Sequence, residues 1–187
     1  MNTVQLTAVM DRVSCNTYFL GVLPCDYLPK TPLTKLPAMV LINTHPSGLP
    51  GEHWLAIYIN EDRVGCFFDS FGNKPDYPGF PPIIKTFLNV NSSEVQHSTV
   101  QVQDFSSDTC GQHCVFFLYH IAKGFDYGHV MKMYTNNLVK NDKQVTVFVK
   151  KLKRVQCNDN VYNCIQCVQT GEMFLSFLCV LVFTIKK

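Results

Sequence analysis

The sequence predicts one domain of mixed helices and strands over residues 1–155, followed by a cysteine-containing, apolar extension at 156–187. Three observations carry this. Short runs rich in β-branched and aromatic residues recur at 38–43, 54–59 and 64–69, each bounded by turn residues. The stretch from Cys110 to Lys123 has Cys114, Phe117, Leu118 and Ile121 at helical spacing, with Gly124 as a stop. With 187 residues and 47% hydrophobic content, the chain is long enough to bury one sizeable core.

In chain order, Asp11 to Phe19 reads as a helical or turn segment, and the prolines at 24, 29, 32 and 37 make 21–37 a surface loop. Ala38–Asn43 is a buried strand. His45 to Gly51 is turn chemistry. Residues 54–59 and 64–69 form a hairpin turned by 60–63, which puts His53 and Asp69 at neighbouring ends although 16 positions separate them. Two glycines and four prolines make 72–82 a loop. Ile83 to Val90 reads as a short helix, and the alternating Ser98–Gln103 as a strand ending at Gln103. The helix from Cys110 would be capped by Thr109 or Asp108. Residues 125–154 mix helix and strand signals and end in a basic cluster, Lys150, Lys151, Lys153 and Arg154.

The charged fraction is only 16%, below the roughly 25% usual for soluble domains, and the net charge is +2. That argues against strong non-specific attraction to nucleic acid, apart from a local basic patch. Nine cysteines is an odd number, and the first residues lack the pattern of a secretory signal, so an intracellular, reducing setting with free thiols is expected. The run from Met173 to Ile185 is too short to span a bilayer, which needs about 20 residues. It is read as a buried helix or strand, a membrane-surface tail or a segment outside the native domain, with membrane contact the disfavoured reading. Cys164 and Cys167, with Cys157 upstream, have the spacing of half a zinc site, but no fourth ligand lies nearby, so no metal or other cofactor is expected.

Four residues supply a complete set for thiol chemistry, in the order His53, Asp69, Gln103, Cys110. Cys110 opens the helix, where unpaired amides and the macrodipole favour a negative sulfur. His53 would hold a proton beside it, Asp69 would orient the ring, and Gln103 would donate its amide to an oxyanion together with the N–H of Cys110. Gly111 leaves the backbone after the nucleophile free of a side chain. Each residue alone has a plainer reading: a packing cysteine, a core or surface histidine, a strand-end aspartate, one glutamine among several. The conjunction raises the chemical reading, because each falls at the element end where the mechanism needs it. Cys114, one turn deeper on the apolar face, is the rival thiol and should be buried and inert. His113 and His120 are read as one packed and one exposed histidine.

These residues carry a resemblance. Tyr18-Phe19-Leu20-Gly21, Val40 to Thr44, His53-Trp54, Phe68-Asp69-Ser70-Phe71-Gly72, and Gln103 seven positions before Cys110-Gly111-Gln112-His113-Cys114 resemble the adenovirus endopeptidase group of cysteine proteases. That group lies within the wider superfamily of ubiquitin-like-protein proteases, whose SUMO-type members have a Gln-to-Cys step one residue shorter. The resemblance implies an α+β, papain-like core whose central helix bears the nucleophile and packs on a mixed or antiparallel sheet. It assigns Cys110, His53, Asp69 and Gln103 the roles above. It also implies a polypeptide substrate cut after small residues, often glycine pairs, with a narrow passage near Trp54 excluding bulky side chains, and processing of virion precursors. Two departures matter. Asp69 stands where the adenoviral proteins commonly have Glu, and Ser92 stands where the adenoviral enzyme tethers an activating peptide through a cysteine. The readings to be separated are a viral-type endopeptidase, an isopeptidase for ubiquitin-like modifiers, and an inactive protease fold kept as a binding module.

Overall fold

A computed structural model describes residues 1–13 and 17–154. The extension at 156–187, with its C-x-x-C pair and apolar run, lies outside the described residues. The sheet has five strands in the order β1 (Tyr18–Pro24), β2 (Ala38–Asn43), β3 (Trp54–Ile59), β4 (Val64–Phe68) and β5 (Glu94–Gln96). The β2–β3–β4 centre is antiparallel, and β1 and β5 are added in parallel at the two edges. The class is α+β, with a mixed sheet.

Helices cover both faces. On one side, Met39, Leu41, Ala56, Cys66 and Phe68 pack against α1 (Thr3–Met10), α3 (Cys110–Ala122), α4 (Tyr127–Lys132) and α5 (Leu138–Arg154). On the other, Val40, Ile42, Leu55, Ile57 and Phe67 pack against α2 (Pro82–Asn91) and the 3-10 turn Cys25–Tyr27. A sheet buried on both faces has no polar side to show, which is why its central strands read as uninterrupted apolar runs. The stacked rings of Phe68 and Phe117, with centroids 4.6 Å apart, fix α3 over the sheet centre.

Four local expectations are corrected. The first helix is α1, earlier than 11–19, and its start is a reciprocal cap in which Asn2 Oδ1 accepts from the Gln5 amide and Gln5 Oε1 from the Asn2 amide. Residues 18–24, expected in the surface loop, form strand β1. Gly21 sits at φ +130° beside an irregularity in register, and Pro24 ends an edge strand, so both breakers fit there. Residues 98–103 are not a strand, because the Val102 and Gln103 amides both donate to the Ser70 carbonyl across the end of the sheet. Residues 125–154 hold two helices, α4 and α5, and no strand, and Lys140, Lys143, Lys150, Lys151 and Lys153 lie exposed on α5. Among the described residues no helix is long and apolar enough to cross a membrane, and no group of three potential metal ligands is gathered.

Candidate active site

His53 is placed by the β2–β3 connection. The Thr44 amide donates to the His53 carbonyl at 2.9 Å, and Asn43 Oδ1 accepts from the His45 and Glu52 amides, so the loop between is pinned at both ends. The partner comes from β4. Ala56 faces Phe68 in the β3–β4 ladder. Continued three residues outward on each strand, that register sets His53 opposite Phe71, and the two rings stack with centroids 5.0 Å apart. Asp69 is then the diagonal neighbour, and its Oδ1 lies 2.6 Å from His53 Nε2.

The Asp69 carboxylate has no unused capacity. It also accepts from the Phe71 amide, the Asn73 amide and Asn73 Nδ2. Burial alone would raise its pKa, but His53 and these amides outweigh burial and hold it below the usual carboxylate value. With Nε2 committed to Asp69, Nδ1 of the same ring is left for Cys110, whose sulfur is near enough to act on the titration of the ring. Burial pulls the ring down; the Asp69 carboxylate and the Cys110 sulfur overcome it and raise His53 to about 9. Burial likewise pushes the Cys110 thiol up. The hydrogen bond and charge of His53, with amide donation from Trp54 and Gly111, more than offset it and lower the thiol below its ordinary value.

Cys110 is the first residue of α3 and 8% exposed. Thr109, at the cap position, does not bond the helix amides; its hydroxyl donates to Asp142 instead. Cys114 is fully buried, donates to the Trp54 carbonyl at 3.2 Å, and is pushed well up by burial, as an inert thiol should be. His113 is fully buried and His120 half-buried rather than exposed.

Gln103 is buried on the wall of the same cleft as Cys110. Its Oε1 accepts from Ser70 Oγ at 2.6 Å and its Nε2 donates to the Ser107 carbonyl at 2.9 Å, which leaves one amide hydrogen uncommitted. Trp54 lines the cleft and donates its indole N–H to the Met1 carbonyl. Gly111 plays a packing part: a Cβ there would lie 3.2 Å from Leu6 and 3.4 Å from the Trp54 ring, so its lack of a side chain lets α1 and Trp54 close over α3. The cleft is about 770 Å³ and opens over His53 and Cys110, with Phe71 and the 78% exposed Phe105 stacked on its rim, centroids 5.4 Å apart.

The structure thus brings His53, hydrogen-bonded to Asp69, beside Cys110, with Gln103 and Trp54 on the wall of the same cleft and Gly111 next to the sulfur-bearing residue in the helix. Sequence reasoning missed Ser70, Phe71 and Asn73, which steady Gln103, His53 and Asp69. The signal was present in the turn Asp69-Ser70-Phe71-Gly72-Asn73, where an Asp that accepts amides two and four residues on is a recurring turn device.

No protein-family model matches the chain. It is similar to the protease of human adenovirus B serotype 3, 29% identical over 125 residues, covering 62% of this chain and 59% of the relative. It is also similar to the protease of ovine adenovirus D serotype 7, 28% identical over 125 residues and 62% of each. The chain therefore spans about three fifths of the length of the curated relatives it matches. Among solved structures, the ASFV pS273R protease is similar with a TM-score of 0.42 and 21% identity, over 64% of this chain and 44% of that one. The central domain of the uncharacterized Lpg1148 protein from Legionella pneumophila has a TM-score of 0.47 and 12% identity, over 82% and 97%. Both likenesses are distant. On its sequence, this chain is similar to the adenovirus proteases, the group its motifs resemble.

Proposed function

We propose that this protein is a cysteine endopeptidase that cleaves after small residues, at Gly-X or Gly-Gly sites, in precursor proteins of a virus or virus-like element. The observation that carries the reading is His53 held between the Asp69 carboxylate and the Cys110 thiol at the head of a helix. Its two relatives are named as proteases, which supports peptide-bond chemistry in general.

In this reading the Cys110 thiolate attacks the carbonyl carbon of the scissile bond. The Cys110 amide and the free N–H of Gln103 receive the oxyanion. His53, protonated at Nδ1, gives that proton to the departing amine and leaves an acyl-enzyme. It then takes a proton from water, whose oxygen attacks the thioester and releases Cys110 as the thiolate. Trp54 narrows the approach to the sulfur, which supports a small residue on the acyl side of the bond. An intracellular site of action is part of the proposal, supported by four free thiols, Cys25, Cys66, Cys110 and Cys114, among the described residues. The exposed lysines of α5, whose one acidic residue Asp142 turns inward, support a nucleic-acid contact better than a disulfide-tethered peptide, since Ser92 replaces the needed cysteine.

The test is turnover of a Gly-Gly peptide library by wild type and Cys110→Ala. The variant should lose about 10³-fold or more in rate, as expected for a covalent nucleophile. Equal rates would remove Cys110 from the chemistry. A ubiquitin-family vinyl-sulfone probe that labels Cys110, with no cleavage of short peptides, would favour an isopeptidase. Iodoacetamide reacting no faster at Cys110 than at the other thiols would favour an inactive binding module.

A further inference from the structure

The helix-bearing side of the site is held by a buried polar network that the proposed chemistry does not use. Asp142 on α5 is 8% exposed and lies under the start of α3. Its Oδ1 accepts from Thr109 Oγ1 at 2.8 Å and bonds His113 Nε2 at 2.8 Å. Its Oδ2 accepts from the Asp104 amide at 3.2 Å. The adjacent Asn141, fully buried, donates Nδ2 to the Val102 carbonyl at 3.0 Å. Two consecutive residues of α5 therefore hold positions 102, 104, 109 and 113, on both sides of Gln103 and of Cys110.

The disposition of Thr109 is informative. A threonine at a helix cap ordinarily spends its hydroxyl on the first free amides. Here the hydroxyl goes to Asp142, and the cap makes no side-chain bond to the helix. The amides at the head of α3 are left for a charge that arises at the sulfur or the substrate oxygen, while the loop is fixed from outside the helix.

We propose that Asp142 is a positioning residue, which through Thr109 and the Asp104 amide holds the Gln103–Cys110 loop in the geometry that receives the oxyanion. The inference rests on the endopeptidase reading. It separates two functions of one site. The sulfur and imidazole are paired across α3 and the β3–β4 end, whereas the oxyanion donors depend on the loop. Disturbing Asp142 should damage acyl transfer and spare the reactivity of the thiolate.

The experiment compares Asp142→Asn, Thr109→Val and Thr109→Ser with wild type, on two readouts: peptide turnover and iodoacetamide alkylation of Cys110. For Asp142→Asn and Thr109→Val, kcat should fall about tenfold or more, with KM and the alkylation rate within about twofold of wild type. Thr109→Ser, which keeps the hydroxyl, should recover most of kcat. If Asp142→Asn fails to fold, the Thr109→Val and Thr109→Ser pair decides. An unchanged kcat in Thr109→Val, or kcat and alkylation falling by the same factor, would overturn the proposal and leave the network a purely structural one. A wild type that alkylates quickly at Cys110 yet turns over no peptide would instead overturn the endopeptidase reading, and this inference with it.

Discussion

A thiolate beside an imidazolium requires a ring that keeps its proton at a pH where an ordinary histidine has lost it. His53 meets that need because Asp69 and Cys110 raise it to about 9, while the thiol moves the other way. The reactive ion pair then exists from the lowered titration of Cys110 up to about 9, and iodoacetamide should alkylate Cys110 fastest across that window. In His53→Ala the largest opposition to the burial of the sulfur is gone, so the midpoint of alkylation should move upward from that of wild type. Asp69→Asn should lower turnover by about 10² or more, since an amide brings no charge to support the imidazolium and can turn a donor to the ring and so favour the wrong tautomer. The same carboxylate has an acid signature. Its folded pKa lies below its ordinary 3.8, so its stabilisation is complete above that value and is lost as pH falls through the folded one. Thermal melts should show the gap between wild type and Asp69→Asn closing below about pH 4.

Turns and helix ends carry the next level of constraint. Gly72 sits at φ +76°, and a Cβ there would come within 2.8 Å of Thr99 and 2.9 Å of Val100, both backbone. This turn also presents the Asp69 carboxylate, so Gly72→Ala should destabilise by about 2 kcal/mol or more and reduce turnover together, as read by urea unfolding and peptide assay. The reciprocal Asn2–Gln5 cap holds α1, whose Leu6 covers Gly111 at the head of α3. Asn2→Ala should cost about 1 kcal/mol. The central strands and α3 were legible because apolar spacing reports burial directly. Strand β1 was not: Gly21 and Pro24 look like loop residues until an edge position and a register irregularity make them admissible. Residues 98–103 misled in the opposite sense, since their alternation is that of a strand while the amides at 102 and 103 go to the Ser70 carbonyl across the end of the sheet.

Among the described residues, the two apolar clusters, one on each face of the sheet, draw their buried members from residues 6–149. A chain ending at residue 155 should therefore unfold at the same urea midpoint and keep fast alkylation at Cys110, which tests the expected boundary. A shifted midpoint would show that the extension contributes to the fold.

His53, Asp69 and Cys110 could be placed near one another from residue order, because each sits at an element end that periodicity and turn chemistry locate, and because pairing the two hairpin strands brings His53 to Asp69; Gln103 reaches the same cleft from a loop, not from the strand end expected of it. Local pattern reaches that far, since strand and helix periods are properties of neighbouring residues. What cross-chain packing decided lies elsewhere: Gly111 as a contact for α1, Ser70 on the Gln103 amide, and Asp142 under Thr109, 33 positions away. Such partners are chosen by which faces are buried together, and no period in the chain records that.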